Sequence, residues 1–156
     1  GDPRFTSVKK GTKNVVYLWA KKEFQNISKC YDCGIPVVKP RHVSKNILIM
    51  DFEGKDGKPE NTLLESEIDE NDYHQSIRLI SDLFNKAKLV HGDFSEYNIF
   101  KTKNGLKLFD LGSAVDTTHP NTMNFLKRDI NNITNFFVKR GLTVENPADI
   151  LERIIK

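Results

Sequence analysis

Residues His91–Asn98 read HGDFSEYN, and residues Leu108–Gly112 read LFDLG. The two segments supply an aspartate, Asp93, an asparagine five residues later, Asn98, and a second aspartate, Asp110. Phosphoryl transfer from a nucleotide needs few side chains beyond these. It needs one carboxylate that positions the attacking oxygen and two oxygen ligands that hold magnesium against the phosphates. The segments therefore predict a phosphoryl-transfer site.

A short hairpin would bring these residues together. Asn104-Gly105 is a strong signal for a two-residue type I′ turn, which needs positive φ at both central positions. With that turn, residue 99 faces residue 110, so Asn98 lies diagonally next to Asp110 and both can reach one cation. His91 and Asp93 precede the first strand at the same open end. The alternative is that the two aspartates are ordinary loop carboxylates and that His91 is a packed histidine.

The two segments resemble the catalytic and metal-binding segments of the protein-kinase superfamily. Gly92 and Ser95 stand where an ordinary protein kinase has Arg and Lys, and the wording DFSEYN is typical of the RIO kinases. Further stretches that carry this resemblance are Trp19–Asn26 (WAKKEFQN), Gly34–Pro40 (GIPVVKP) and His119–Phe137. The resemblance covers nearly the whole chain. It is closest to the branch, shared by archaea and eukaryotes, that lacks a winged helix.

The resemblance implies an α+β, protein-kinase-like fold that has a helical large lobe and part of the small lobe. Residues 1–52 would be the C-terminal part of the small lobe, and residues 53–156 would be the large lobe. Only about ten residues separate Asp110 from the helix expected near Asn121. We therefore expect no activation segment and no Ala-Pro-Glu platform for a peptide.

The start of the kinase pattern is not found in this sequence. No Gly-rich loop and no Val-Ala-x-Lys strand precede Glu23, and Lys9, Lys10 and Gly11 lie in a polar stretch without a strand pattern. We therefore expect an incomplete kinase domain whose phosphate loop and nucleotide lysine lie elsewhere. We expect this chain alone to turn ATP over negligibly, because phosphate positioning depends on those parts.

The resemblance also implies roles for single residues. Asp93 would position or deprotonate the nucleophile, and Asn98 and Asp110 would hold Mg²⁺. Asp110 would in addition be a candidate for a transient aspartyl phosphate. Met50 would be the gatekeeper beside the adenine, which the backbones of Asp51 and Glu53 would hydrogen-bond. The residues assigned to binding ATP are Glu23, Met50, Asp51, Glu53, Ser95 and Glu96.

Hydrophobic periodicity predicts the elements that precede the motifs. Residues 15–31 should form a helix, and Glu23 shares its inward side, where a carboxylate needs a partner. In the family that partner is the strand lysine. Residues 46–50 predict a buried strand, and residues 55–61 a mobile connection.

The remaining elements are predicted to be helical. A helix should run from about Asp69 to Lys86, with His74 on the surface. Residues 121–140 should form a helix that ends at Gly141 as its C-cap, and Pro147 should begin a short terminal helix. We expect Arg128 and Asp129 to be structural and to anchor the loop of Asp93.

Composition sets broad limits. A chain of 156 residues with 38% hydrophobic content can bury one core, and its net charge of +3 is mild. The scattered lysines favour a solvated surface over a dedicated nucleic-acid face. No apolar run approaches a membrane span and no signal peptide is visible. Cys30 and Cys33 lack a second pair for zinc, so we expect reduced thiols in an intracellular, cytoplasmic protein.

Three functions remain open. The favoured one is a RIO-type, ATP- and Mg²⁺-dependent serine/threonine kinase or ATPase. By resemblance alone, it would act in small ribosomal subunit maturation, with the subunit precursor and its rRNA as partners. The second is a small-molecule phosphotransferase of the aminoglycoside or choline kinase kind, which Gly92 favours and Ser95-Glu96-Tyr97 disfavours. The third is a non-catalytic kinase fragment that serves as a binding module, and the missing phosphate loop favours this function.

Overall fold

The computed structural model describes residues 12–156 as four helices and four two-stranded antiparallel sheets. Lys9, Lys10 and Gly11 lie outside these residues, as does the first part of the predicted small-lobe unit; the division after residue 52 stays a prediction. The elements are α1 Thr12–Asp32, β1 Pro40–Ser44, β2 Ile47–Met50, β3 Gly54–Lys55, β4 Lys58–Pro59, α2 Glu70–Asn85, β5 Leu89–Val90, β6 Ile99–Thr102, β7 Gly105–Leu108, β8 Val115–Asp116, α3 Thr122–Lys139 and α4 Pro147–Ile155. This is an α+β architecture, as predicted.

Helix α1 confirms the predicted helix over residues 15–31. Ala20, Ile27 and Cys30 are buried along one side. The thiols of Cys30 and Cys33 are both free, and burial raises the pKa of Cys30 to about 12. Such a thiol stays protonated at neutral pH.

The predicted buried strand is only half buried. Strand β2 pairs with β1, and Ile47 and Ile49 are 60% and 49% exposed. Successive side chains of a strand point to opposite faces, and here Leu48 and Met50 turn inward. Within the described residues only one face of this two-stranded sheet is packed. The continuous apolar run Ile47–Met50 predicted burial on both faces, and that prediction is wrong.

The connection predicted to be mobile is an ordered hairpin. Strands β3 and β4 pair, and the turn between them has positive φ at both Asp56 (53°) and Gly57 (77°). Positive φ at both central positions is the requirement of a type I′ turn, which Asp-Gly satisfies well.

Helix α2 begins and ends close to the predicted limits. Asp69 is its N-cap and forms a capping box with Asp72. Tyr73, Ile77 and Leu83 face the core, and His74 is exposed as predicted. Lys101 on β6 reaches the buried Asp72 carboxylate at 2.8 Å, which attaches the hairpin β6–β7 to the start of α2.

The core lies among α2, α3, α4 and the short strands. Phe137, Ile133 and Leu126 of α3 are fully buried, as are Ile150 and Ile154 of α4. Helix α3 ends at Lys139 with Arg140 as its C-cap, so Gly141, which was predicted to be the C-cap, is the next residue and has φ of 91°. Helix α4 starts with Asn146 as N-cap and Pro147 in its first turn.

Candidate active site

The loop His91–Asn98, here called the Asp93 loop, is held by α3. The buried Asp129 carboxylate accepts hydrogen bonds from the backbone N–H groups of Gly92 (2.8 Å) and Phe94 (3.1 Å). Arg128 donates to the carbonyl of Gly92. The anchoring role predicted for Arg128 and Asp129 is confirmed. Burial raises the pKa of Asp129, and the two backbone N–H groups act in the opposite direction.

The position of Gly92 requires a glycine for steric reasons. Its φ is 82°, and a Cβ added there would lie 2.9 Å from the carbonyl oxygen of Ser113. A side chain would therefore meet both an unfavourable backbone conformation and a rigid neighbour. This local packing accounts for the glycine, so Gly92 is not specific evidence for a small-molecule phosphotransferase.

His91 is a packed residue and not part of the open site. Its ring is buried, its Nε2 donates to the carbonyl of Asp110 (2.5 Å), and its Nδ1 accepts from the backbone N–H of Asp93 (3.1 Å). These two bonds require the neutral Nε2–H tautomer. His91 thus joins the backbones of the two acidic segments, so the expectation that its side chain converges with theirs in the open site is wrong.

The hairpin forms with a different register from the predicted one. Ile99 faces Leu108, so Lys103 and Asn104 form the turn and Gly105, with φ of 117°, opens β7. The predicted register is wrong by two residues. Because side chains alternate with a period of two, a shift of two keeps each side chain on its face.

The backbones of Asn98 and Asp110 therefore still lie close together. Asn98 stands opposite Phe109, whose N–H contacts its carbonyl at 3.5 Å, and Asp110 is the next residue. The Asn98 amide N–H donates to the carbonyl of Asp93 (2.7 Å), which leaves its side-chain oxygen as an acceptor. One carboxylate oxygen of Asp110 accepts from the N–H of Gly112 (3.0 Å).

Glu23 lies beside Asp110. A Cβ built on Gly112 would lie 3.4 Å from both carboxylates. Burial, followed by the negative charge of Asp110, raises the pKa of Glu23. The predicted lysine partner of Glu23 is not found among residues 12–156, in which Glu23 forms no salt bridge.

The segment after β2 leaves two backbone groups without a backbone partner. The N–H of Asp51 donates to the carbonyl of Lys39 (2.9 Å), and the carbonyl of Glu53 accepts from Glu60 (2.9 Å). Within the described part of the chain, the carbonyl of Asp51 and the N–H of Glu53 form no backbone hydrogen bond. Met50 is half buried against the core.

The side chains of this segment are also engaged. Arg41 forms a bidentate pair with Asp51 (2.5 and 3.0 Å), and this guanidinium lowers the pKa of that carboxyl. Lys107 on β7 pairs with Glu53 at 2.7 Å. These two pairs fasten the segment to its neighbours.

Ser95 and Glu96 belong to a different cavity from the segment after β2. They line an open groove of about 370 Å³, here called the α3 groove. One wall is formed by Asp93, Ser95, Glu96 and Tyr97, and the other by Asn132, Asn135, Phe136 and Lys139. Sequence reasoning missed the second wall, although the spacing i, i+3, i+4, i+7 places these four residues on one helix face.

The polar groups fit Mg²⁺ and nucleotide phosphates. The oxygens of Asn98 and Asp110 are hard ligands, which magnesium prefers. Among the residues described, no cluster of three or more His, Cys, Asp or Glu could hold a metal by itself. Magnesium ordinarily takes one or two protein ligands together with substrate phosphates and water, and the residue types of Asn98 and Asp110 fit such a site.

The fold and this arrangement define a protein-kinase-like protein. The family model of the RIO domain matches residues 1–150, and the chain therefore belongs to the RIO family. The chain is 37% identical, over 157 aligned residues, to the RIO-type serine/threonine-protein kinase Rio1 of Thermoplasma acidophilum, covering 100% of this chain and 82% of that protein. It is 33% identical to the serine/threonine-protein kinase RIO1 of Caenorhabditis elegans over 94% of this chain.

A solved structure with a similar fold is the Rio2 kinase from Chaetomium thermophilum in an ADP/Mg²⁺-phosphoaspartate complex. The TM-score is 0.70 at 25% identity, covering 88% of this chain and 44% of that one. The chain also spans only 30% of the C. elegans relative and 26% of its Dictyostelium discoideum counterpart. No helix in residues 12–156 is long and apolar enough to cross a membrane.

Proposed function

We propose that this chain is part of a RIO-type serine/threonine kinase or ATPase that transfers the γ-phosphoryl group of ATP. One observation carries the proposal. The Asn98 amide is bound to the Asp93 backbone, and the Asn98 backbone is bound to Phe109 next to Asp110, which supports a site made of a carboxylate, an amide oxygen and a second carboxylate. The names of the relatives support the reaction class.

The nucleotide base would lie against Met50. The carbonyl of Asp51 would accept a hydrogen bond from the adenine, and the N–H of Glu53 would donate one. Both groups are available, because the bond to Lys39 uses the N–H of Asp51 and the bond to Glu60 uses the carbonyl of Glu53. The Arg41 and Lys107 pairs keep this edge in place.

Asn98 and Asp110 would hold Mg²⁺, which neutralises charge on the phosphates. The hydrogen bond from Asn98 to the Asp93 carbonyl orients its side-chain oxygen. Asp93 would accept the proton of the attacking hydroxyl or orient a water. Its exposed carboxylate makes no hydrogen bond within the described residues, so it can contact a nucleophile.

Asp110 is proposed also to accept the phosphoryl group. The bond between the γ-phosphorus and ADP would break while a carboxylate oxygen of Asp110 bonds to phosphorus, and water would later release phosphate. The similar Rio2 kinase was solved as a phosphoaspartate complex. This supports the same chemistry here.

The acyl phosphate can be tested by its lability. Full-length protein incubated with radiolabelled γ-ATP should carry phosphate that hydroxylamine releases, because hydroxylamine attacks an acyl phosphate and not a serine phosphate. Asp110→Asn should abolish this labile phosphate, and Asp149→Asn, an exposed aspartate on α4, should retain it. Labile phosphate that survives in Asp110→Asn would contradict the assignment.

The proposed partner is the precursor of the small ribosomal subunit with its rRNA, in the cytoplasm. Family membership supports this proposal, and the scattered lysines alone would not. In low-salt extract, the protein should sediment with subunit precursors in a nucleotide-dependent way. Contacts to rRNA phosphates should weaken steeply as salt rises. Protein that remains at the top of the gradient in every nucleotide state would refute the proposed partner.

The two other functions are less well supported. Gly92 favoured a small-molecule phosphotransferase, but the contact with Ser113 explains this glycine locally. Purified enzyme that phosphorylates choline or an aminoglycoside would revive that function. A non-catalytic binding module would show no ATP turnover that depends on Asp93.

A further inference from the structure

The α3 groove joins Asp93 to a helix face that the proposed nucleotide site does not use. Asn132, Asn135 and Lys139 form neither side-chain hydrogen bonds nor salt bridges within residues 12–156, and they line the same cavity as Asp93. Phe136, 6% exposed, forms its apolar floor. A face with two unengaged amides and one ammonium next to the proposed base is suited to bind a polar ligand.

The two walls of the groove are rigidly connected. Asp129 fixes the backbone on both sides of Asp93 through the N–H groups of Gly92 and Phe94. Asn132 follows Asp129 by three residues, which is less than one helical turn. The helix that positions the loop therefore also positions the opposite wall, so that a ligand in the groove would be aligned relative to Asp93.

The charges of the groove favour a polypeptide over a nucleic acid. Two carboxylates, Asp93 and Glu96, lie on the loop wall, and among the described residues the one cationic side chain lining the groove is Lys139 at the end of α3. A phosphate backbone would meet two negative charges and one positive charge. Asparagine amides, in contrast, can pair with the N–H and C=O groups of an extended peptide.

The spacing along α3 indicates which residue of a peptide would reach Lys139. Asn132 and Lys139 are seven residues apart, or about 10 Å at a helical rise of about 1.5 Å per residue. An extended chain covers about 3.3–3.6 Å per residue. Asn132 is the residue of this face that follows the anchor Asp129 most closely. With the acceptor hydroxyl level with Asn132, a residue roughly three positions away would lie near the ammonium.

We propose that the α3 groove binds the polypeptide segment that carries the acceptor hydroxyl, and that Lys139 selects an acidic residue about three positions away. This inference rests on the proposed kinase function and names the substrate class of the same site. Tyr97, which is 60% exposed and lines the same groove, would pack on this segment. The absence of an activation segment does not remove this surface, because α3 and the Asp93 loop supply both walls.

The test uses three serine peptides that carry Glu, Ala or Lys at both positions three residues from the serine. Full-length protein should phosphorylate the Glu peptide with a kcat/KM about threefold above that of the Ala peptide, as expected for a solvent-exposed ion pair. K139E should reverse the order, so that the Lys peptide becomes preferred by about threefold. A merely structural lysine would not reverse the preference.

The matched control is K127E on the same helix. Lys127 is exposed and lines a separate cavity with Pro147 and Leu151, so this variant has the same change in net charge. It should keep the wild-type preference for the Glu peptide. An unchanged preference in K139E, an equal change in K127E, or Lys139-dependent binding of single-stranded RNA in place of peptide would overturn the inference.

The result can be separated from the proposed function by the Asp93→Ala variant. If this variant loses ATP turnover and the peptide preference is absent in wild type, only the inference fails. If turnover persists in Asp93→Ala, the proposed function fails, whatever the peptides show.

Discussion

Gly92 combines a positive φ with a close backbone neighbour, and the two effects can be separated by mutation. Gly34 has nearly the same φ, 77°, but nothing lies within 4 Å of its added Cβ. Gly34→Ala should lower the free energy of unfolding by about 1–2 kcal/mol, the cost of a left-handed conformation. Gly92→Ala should cost about 1–3 kcal/mol more, because the Ser113 carbonyl cannot move freely.

Chemical denaturation of the two variants measures this difference. Gly92→Ala should also reduce ATP turnover, because relief of the clash moves the backbone that carries Asp93. Equal stability losses at the two sites would show that the contact with Ser113 has no energetic weight.

Single residues of the site differ in how far sequence alone could place them. Asp93, Asn98 and Asp110 stand at a spacing from which local geometry predicts their proximity. The partner of Glu53 could not be predicted, because Lys107 lies 54 residues from it. Contacts at that sequence separation depend on tertiary packing.

At the scale of elements, helices were predicted best. Their hydrophobic periods and caps are local signals, and Asp69, Pro147 and Gly141 mark the ends of helices as expected. Turns were harder to predict. Asn-Gly at 104–105 does not form the type I′ turn, whereas Asp56-Gly57 does. A turn signal in the sequence predicts that a hairpin forms, but the pairing of the two strands sets its register.

The attachment of α4 to α2 should depend on pH. Glu145 pairs with Arg153 (2.5 and 3.1 Å) and accepts a hydrogen bond from the Tyr73 hydroxyl at 3.3 Å. Arg153 is the main reason that the pKa of Glu145 is lowered from 4.5. A carboxyl group whose pKa is lower in the folded state stabilises the fold at pH values above its pKa in the unfolded state. This contribution is lost as the pH falls through the pKa of the folded state.

Acid titration of stability tests this contribution. The Glu145 side chain is 40% exposed, so the pair should contribute less than about 1 kcal/mol after solvent screening. Glu145→Gln should be less stable than wild type at pH 7, and the difference should shrink as pH falls below about 4.5. A difference that is constant from pH 7 to acid would contradict the ionic origin.

At the scale of the whole molecule, α3 organises the site. One helix buries the central apolar residues, anchors the Asp93 loop through Asp129, and presents the wall of the α3 groove. The sequence pattern predicted the first two roles. The groove was missed because its residues are ordinary surface polar residues until the loop is folded against them.

The central claim is that Asp93, Asn98 and Asp110 form one phosphoryl-transfer site in which Asp93 acts on the nucleophile. The most direct measurement is ATP turnover together with Mg-nucleotide affinity, in full-length protein, for wild type, Asp93→Ala and Asp110→Ala. Asp93→Ala should lower turnover by about 10²–10⁴-fold while it leaves Mg-nucleotide affinity nearly unchanged, because this residue contacts the nucleophile. Asp110→Ala should lower both turnover and affinity, because a magnesium ligand is lost. Turnover that persists in Asp93→Ala, or a loss of affinity that is as large as in Asp110→Ala, would contradict the claim.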